Sequence, residues 1–308
     1  MLKIVGVFVI GCCLYFAYWI LDGKGDRALY STAKKAVKVV DNSEATRTLS
    51  TEAPSVTPPS GATATPDSST KPNLGSATPS AGGKRIALVI GNASYKTNPL
   101  RNPKNDADDF SKALGGLGFS VINVRDGSLQ QMRAAVRQFG DQLLSSDVGL
   151  VYYSGHGVEV KGKNYFIPVN ADIQHEDEAA DQSLDVASIL EKMGTAKKSV
   201  NILIVDACRD NPFPKAYRSG ARGLASMEAP SGTIIAYSTS PGKVAMDGNG
   251  KNSPYTRNLI KAMEVPNRPV EIVFKEVRRT VQQETNNQQT PWENTSLSGD
   301  FYFKVQNN

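Results

Sequence analysis

The chain has 308 residues, of which 40% are hydrophobic and 21% charged, and its net charge is +5. This allows one large domain or two small ones and excludes a collagenous or wholly disordered chain. Three cysteines exclude a disulfide-built scaffold, and two histidines exclude a His-rich metal site. No block of five like charges occurs, so the charge gives no basis for nucleic-acid binding.

Residues 4–21, IVGVFVIGCCLYFAYWIL, form an 18-residue run without a charge. At about 1.5 Å per residue the run spans roughly 27 Å, enough to cross a hydrocarbon core. Tyr15, Tyr18 and Trp19 lie toward one end, where amphipathic rings favour the membrane interface. The expectation is a retained single-pass anchor within residues 1–22. One rival is a cleaved signal peptide, although no small-x-small cleavage pattern precedes Asp22. Another is lipidation at Cys12, whose preceding Val9-Ile10-Gly11 loosely resembles a lipobox. Lys24, Arg27, Lys34, Lys35 and Lys38 favour a cytoplasmic C-terminal side, while the polar linker that follows argues the other way. The side of the membrane stays open.

Residues 23–83 read as a juxtamembrane segment and linker. Over 41–83, 32 of 43 residues are Ser, Thr, Pro, Gly or Ala, and none is aromatic. Such a segment cannot bury enough apolar surface to offset its ordering entropy. Its coil reach of about 35 Å would hold the following domain, 84–308, off a membrane.

From Lys84 onward the pattern alternates. The run Ile86 to Ile90 is continuously apolar, as in a strand buried on both faces. Helical spacing follows over 106–117, with Ala107, Phe110, Leu114 and Leu117 on one side. A short strand is expected at 119–124 and a helix at 129–144. Strands at 148–153 and 200–205 flank a helix at 184–193. A strand at 233–237, helices at 255–263 and 270–285, and a last strand at 297–303 complete the series. Strands alternating with helices of ten or more residues predict a mainly parallel sheet covered on both faces.

In such sheets ligands bind beyond the carboxyl ends of the strands. Two ends carry chemistry. One strand runs into Ser154-Gly155-His156-Gly157, the other into Asp206-Ala207-Cys208-Arg209-Asp210. A free thiol is only a few per cent thiolate at neutral pH, and a nearby imidazole can take its proton. The glycines allow a close backbone approach and leave an N–H to meet an oxyanion. Hydrolysis of an amide by attack of Cys208 is the natural reaction. Taken singly, the bland readings are a buried apolar thiol and an ordinary polar histidine. Their joint placement at strand ends favours the chemical reading.

Tyr153-Ser154-Gly155-His156-Gly157 and Asp206-Ala207-Cys208-Arg209 resemble the two catalytic motifs of the caspase–metacaspase clan. The motifs stand 208 − 156 = 52 residues apart, close to the spacing of about 50 known for caspases. Asn105-Asp106-Ala107 and Ile234 to Ser238 add to the resemblance, which spans Lys84 to Lys304. It implies a three-layer α/β/α sandwich around a mainly parallel six-stranded sheet. It also implies a cysteine endopeptidase with His156 as base and acid and Cys208 as nucleophile. The N–H groups of Gly157 and Cys208 would form the oxyanion hole. Asp206 stands where caspases carry Gln, which places the chain nearer the metacaspases, of the bacterial orthocaspase type. Asp106, Asp206 and Ser154 are then expected to contact the residue before the cut bond. Asp206 lies two residues before Cys208, so along a strand it returns to the same face. Two carboxylates there favour Arg, then Lys, and repel Asp.

No cofactor is expected. Calcium, which some metacaspases bind, would have to use the acidic run Asp172, Glu176, Asp177, Glu178 and Asp181, and Asn170 in the matching stretch is neutral. The acidic run, with His175 inside it, otherwise reads as a solvated loop. Trp292 reads as core or edge packing. The segment 211–232, rich in Pro and Gly, carries Lys215, Arg218 and Arg222 as candidate self-cleavage points. The partners implied are polypeptides with basic cleavage residues, and a membrane through residues 4–21. The alternatives are a non-catalytic caspase-like binding module and a hydrolase of small amides.

Overall fold

The structure is a computed structural model that describes residues 83–196, 199–208, 224–240, 243 and 245–306, with the side chain of Cys208 excepted. The anchor, the linker and the candidate cleavage points Lys215, Arg218 and Arg222 lie outside the described residues. Among the described residues no helix is long and apolar enough to cross a membrane.

The first strand, β1 (Arg85–Gly91), is buried almost throughout, as its unbroken apolar run requires. Helix α1 (Pro103–Gly116) begins with proline, whose missing N–H costs nothing in a first turn. After β2 (Phe119–Arg125), helix α2 (Leu129–Leu143) opens with a capping box. There Ser128 Oγ accepts from Gln131 N at 3.3 Å, and Gln131 Oε1 accepts from Ser128 N at 2.9 Å. Next come β3 (Val148–Val160), β4 (Lys163–Phe166), a short 3₁₀ turn, α3 (Ala179–Gln182), β5 (Leu184–Asp185) and α4 (Ala187–Thr195). Then follow β6 (Val200–Cys208), β7 (Thr233–Tyr237), α5 (Pro254–Met263), α6 (Val270–Glu284) and β8 (Trp292–Thr295).

The main sheet has the order β2-β1-β3-β6-β7-β8. Its first five strands are parallel, and β8 is antiparallel to β7. This is the expected six-stranded, mainly parallel sheet. One face packs on α1, α5 and α6 through Phe110, Tyr152, Leu259 and Phe274. The other packs on α2 and α4 through Leu88, Phe139, Ile189 and Leu203. The order reverses between β1 and β3, which opens a crevice at their carboxyl ends.

Several boundaries differ from the sequence reading. Strands β3 and β6 do not stop at Tyr153 and Val205 but run on through both motifs, to Val160 and Cys208. The outer part of β3 leaves the main sheet and pairs antiparallel with β4, which pairs with β5. The expected helix at 184–193 therefore begins as strand, and α4 starts only at Ala187, whose N–H meets Asp185 Oδ1 at 2.9 Å. The expected last strand at 297–303 is not part of the sheet. Phe301 and Phe303 are buried, but the backbone there bonds to the start of α6, with Val270 N to Phe301 O at 2.8 Å. The sheet edge is instead β8, where Trp292 is 48% exposed rather than packed in the core.

Candidate active site

The parallel ladder between β3 and β6 sets Ser154 opposite Asp206, Gly155 opposite Ala207 and His156 opposite Cys208. Neighbouring strands lie about 4.8 Å apart, so the two motifs, 52 residues apart in sequence, become adjacent backbones. Both lie at the carboxyl edge of the sheet, beside the crevice.

Three groups hold His156, which is 2% exposed. Its Nε2 lies 2.7 Å from the carbonyl oxygen of Asn98. A carbonyl only accepts, so this contact assigns the proton to Nε2 and leaves Nδ1 as the basic nitrogen. The ring of Tyr95 packs on the imidazole with centroids 4.4 Å apart. The backbone N–H of His156 donates to Tyr95 Oη at 2.9 Å, and Tyr153 Oη donates to the carbonyl of His156 at 2.6 Å. Gly155 is required by this crowding. A Cβ there would stand 2.7 Å from both tyrosine hydroxyl oxygens.

Tyr95 and Asn98 belong to the loop between β1 and α1, and Asp126 secures that loop. Its carboxylate accepts from Ala93 N at 2.8 Å, from Ser94 N at 2.9 Å and from Ser94 Oγ at 2.7 Å, and Lys104 stands 3.1 Å away. Partial burial pulls its pKa upward, but these donors outweigh that and hold the carboxyl at about 2. The depressed value means that the anchoring is complete above the unfolded carboxyl range and is lost as pH falls through about 2. Asp126→Ala should leave the sheet intact while lowering kcat about tenfold, because a loosened loop misplaces the imidazole. Peptide-cleavage kinetics at pH 7, with circular dichroism as the fold control, check this.

The acidic residues gather at the start of α5. Asp106 is 1% exposed and Asp206 5%. Ser253 bridges them. Its N–H donates to Asp106 Oδ1 at 3.0 Å, and its hydroxyl donates to Asp206 Oδ2 at 2.5 Å. The same hydroxyl caps α5 by accepting from Thr256 N at 3.0 Å. Thr256 Oγ1 donates to Asp206 at 2.8 Å, and Ser154 Oγ lies 3.4 Å from Asp106 Oδ2. Burial, and then the neighbouring Asp206, push the Asp106 carboxyl up to about 8. Burial also raises Asp206, against the hydroxyls of Ser253 and Thr256. Two buried carboxyls of like sign, with no cation bonded to either among the described residues, favour keeping a proton between them.

Of the residues picked from sequence, the fold thus brings together His156, Ser154, Asp106, Asp206, Gly157 and the backbone of Cys208. Asp106 does not open its helix, which starts three residues earlier. Sequence reasoning missed Tyr95, Asn98, Asp126, Ser253 and Thr256. For Ser253 a signal was present, since Ser-Pro ahead of a helical pattern marks an N-cap followed by N1. Tyr95 and Asn98 carried none, because a loop carbonyl and a stacked ring have no local pattern. Asn170 is occupied by structure, its Oδ1 accepting from Leu129 N at 3.1 Å. Among the described residues no group of three or more His, Cys, Asp or Glu is placed to hold a metal ion. His175 is exposed, as read.

Comparison with known proteins identifies the family and the fold. The sequence profile of the caspase domain, Peptidase_C14, matches residues 84–302. The human mucosa-associated lymphoid tissue lymphoma translocation protein 1 is 30% identical over 164 residues, which cover 53% of this chain and 19% of that protein. Its homologue in Mus musculus matches with the same figures. The chain therefore spans about a fifth of the length of these curated relatives. The crystal structure of caspase-1 from Spodoptera frugiperda superposes with a TM-score of 0.55 at 17% identity, covering 72% of this chain and 91% of that one. This last likeness concerns the fold. Residues 84–302 make this chain a member of the caspase-domain family of cysteine peptidases.

Proposed function

We propose that the protein is a cysteine endopeptidase that cleaves peptide bonds after arginine, and less readily after lysine. The observation that carries the reading is the ladder pairing of His156 with Cys208 beside two buried carboxyls. In this reading His156 Nδ1 takes the thiol proton as the sulfur bonds to the scissile carbonyl carbon. The carbonyl oxygen takes up negative charge and is met by the N–H groups of Gly157 and Cys208. Collapse breaks the C–N bond, and the imidazolium gives its proton to the departing amine. Water, deprotonated by His156, then attacks the thioester and frees the acid and the thiol. The chemistry as written needs no cofactor.

Asp106 and Asp206 would receive the side chain before the cut bond. A guanidinium can pair with both, whereas an ammonium is a single point charge. Asp206 two residues before the nucleophile also supports grouping the chain with the metacaspase-like, orthocaspase-type members. The reading includes a membrane anchor through residues 4–21, supported by their uncharged run.

Incubation of the purified protein with a mixed peptide library tests the proposal. Cleavage should follow Arg and Lys and be absent in Cys208→Ala. Intact masses should show wild type, but not the variant, cut after Lys215, Arg218 or Arg222. A library left whole by wild type would instead identify a non-catalytic caspase-like module.

A further inference from the structure

A cavity of about 280 Å³ lies between α2, α3, β5 and α4 and shares no residue with the candidate active site. Its wall includes Val136 and Leu184, and Arg133, Arg137 and Lys192 surround it. None of these three cations makes an ion pair among the described residues. The one carboxylate in the lining, Asp185, is already bonded to Ala187 N at 2.9 Å. The balance at the cavity is 3 − 1 = +2.

Three local costs converge here. Arg133 and Arg137 stand four apart on one helix, where like charges repel. Gly140, in the interior of α2, weakens that helix relative to alanine. It is tolerated because Lys192 lies across it, and a Cβ at position 140 would stand 2.7 Å from Lys192 Cδ and 3.2 Å from Nζ. Ser183, 1% exposed and part of the cavity wall, buries a hydroxyl with no hydrogen-bond partner among the described residues. An unpaired buried hydroxyl forfeits its hydration without return. A bound oxyanion relieves the repulsion, uses the lysine head that the glycine admits, and offers an acceptor near the hydroxyl.

We propose that this cavity binds a small organic phosphate, its phosphoryl group held by Arg133, Arg137 and Lys192 and its apolar body against Val136 and Leu184. A phosphate monoester carries about −1.5 to −2 at neutral pH, which matches the balance of charge at the cavity. Arginine pairs suit bidentate contact with its oxygens. The size of the cavity falls near the lower end of small-ligand sites, of roughly 300 Å³ and upward.

Calorimetry on the purified protein with phenyl phosphate, inorganic phosphate and benzyl alcohol tests the proposal. Phenyl phosphate should bind at sub-millimolar concentration, inorganic phosphate about tenfold more weakly, and benzyl alcohol not at all. Arg137→Gln with Lys192→Gln should weaken phenyl phosphate by about tenfold or more. Both positions are at the surface or partly exposed, and circular dichroism verifies the fold. Ser183→Ala should raise the melting temperature of the free protein and weaken binding a few-fold, a pairing that loss of fold cannot mimic. No binding of phenyl phosphate, equal binding of inorganic phosphate, or unchanged binding by the double variant would each overturn the site. None of these readouts depends on peptidase activity.

Discussion

His156→Ala is expected to lower kcat by roughly a thousandfold or more while leaving the melting temperature within a few degrees of wild type. The size of the loss follows from the two jobs of the ring, base in the first step and acid in the second. A thiol left to itself is only a few per cent ionised near neutral pH. The contact from Nε2 to Asn98 O, at 2.7 Å, fixes which nitrogen does the work. Tyr95 fixes the plane of the ring and the backbone beneath it. Alkylation by iodoacetamide provides the direct readout. Cys208 should react faster in wild type than in His156→Ala, with Tyr95→Phe between them. Tyr95→Phe keeps the ring contact and loses only the hydroxyl that accepts from His156 N, so its defect should lie in kcat more than KM. Equal alkylation rates in wild type and His156→Ala would remove the imidazole from the chemistry.

The sheet was legible because its strands announce themselves. Ile86 to Ile90 and Ile202 to Val205 are apolar without interruption, and only burial on both faces explains that. Alternation with helices of ten or more residues then fixed the parallel arrangement. Legibility failed where tertiary contacts outvoted local pattern. The segment 297–303 alternates like a strand, yet its backbone bonds go to the start of α6 while its phenylalanines fill the core. Leu184 and Asp185 read as helix, yet β4 offered them a ladder first. The motifs themselves were legible as residue types at strand ends. Their register was not, since His156 opposite Cys208 depends on both strands running past the expected ends. The support for His156 was least legible of all. It comes from a carbonyl at Asn98 and a carboxylate at Asp126, 28 residues later, whose roles exist only once β1 and β2 lie side by side.

Asp106→Asn should make the protein more stable and a poorer peptidase at once. Asp106 sits beside Asp206 with its carboxyl at about 8, far above the unfolded value of 3.8. The sign follows from proton counts. Below about pH 3.8 both states hold the proton, and the site costs nothing extra. Between 3.8 and about 8 the folded state keeps a proton that the unfolded state has released, so stability falls with each pH unit. Above about 8 the folded state carries the buried charge, and the loss stops growing. Asparagine never pays this cost, and its Oδ1 can still accept from Ser253 N. Its melting temperature should exceed that of wild type by roughly 5 °C at pH 8, with the gap narrowing toward pH 5 and level above pH 8. Arginine recognition moves the opposite way. Removing one partner of a buried charge pair costs about 2–5 kcal/mol, so kcat/KM for Arg peptides should fall roughly 30-fold or more. In wild type, kcat/KM for Arg should climb with pH up to about 8, because the guanidinium must displace the shared proton. A citrulline peptide, equal in shape and uncharged, should lack that climb. Thermal melts and paired fluorogenic peptides from pH 5 to 9 decide the matter. A melting gap that shrinks as pH rises would show that the Asp106 carboxyl is not raised in the folded protein, and identical pH profiles for the two peptides would show that the carboxyl pair does not meet the substrate's cation.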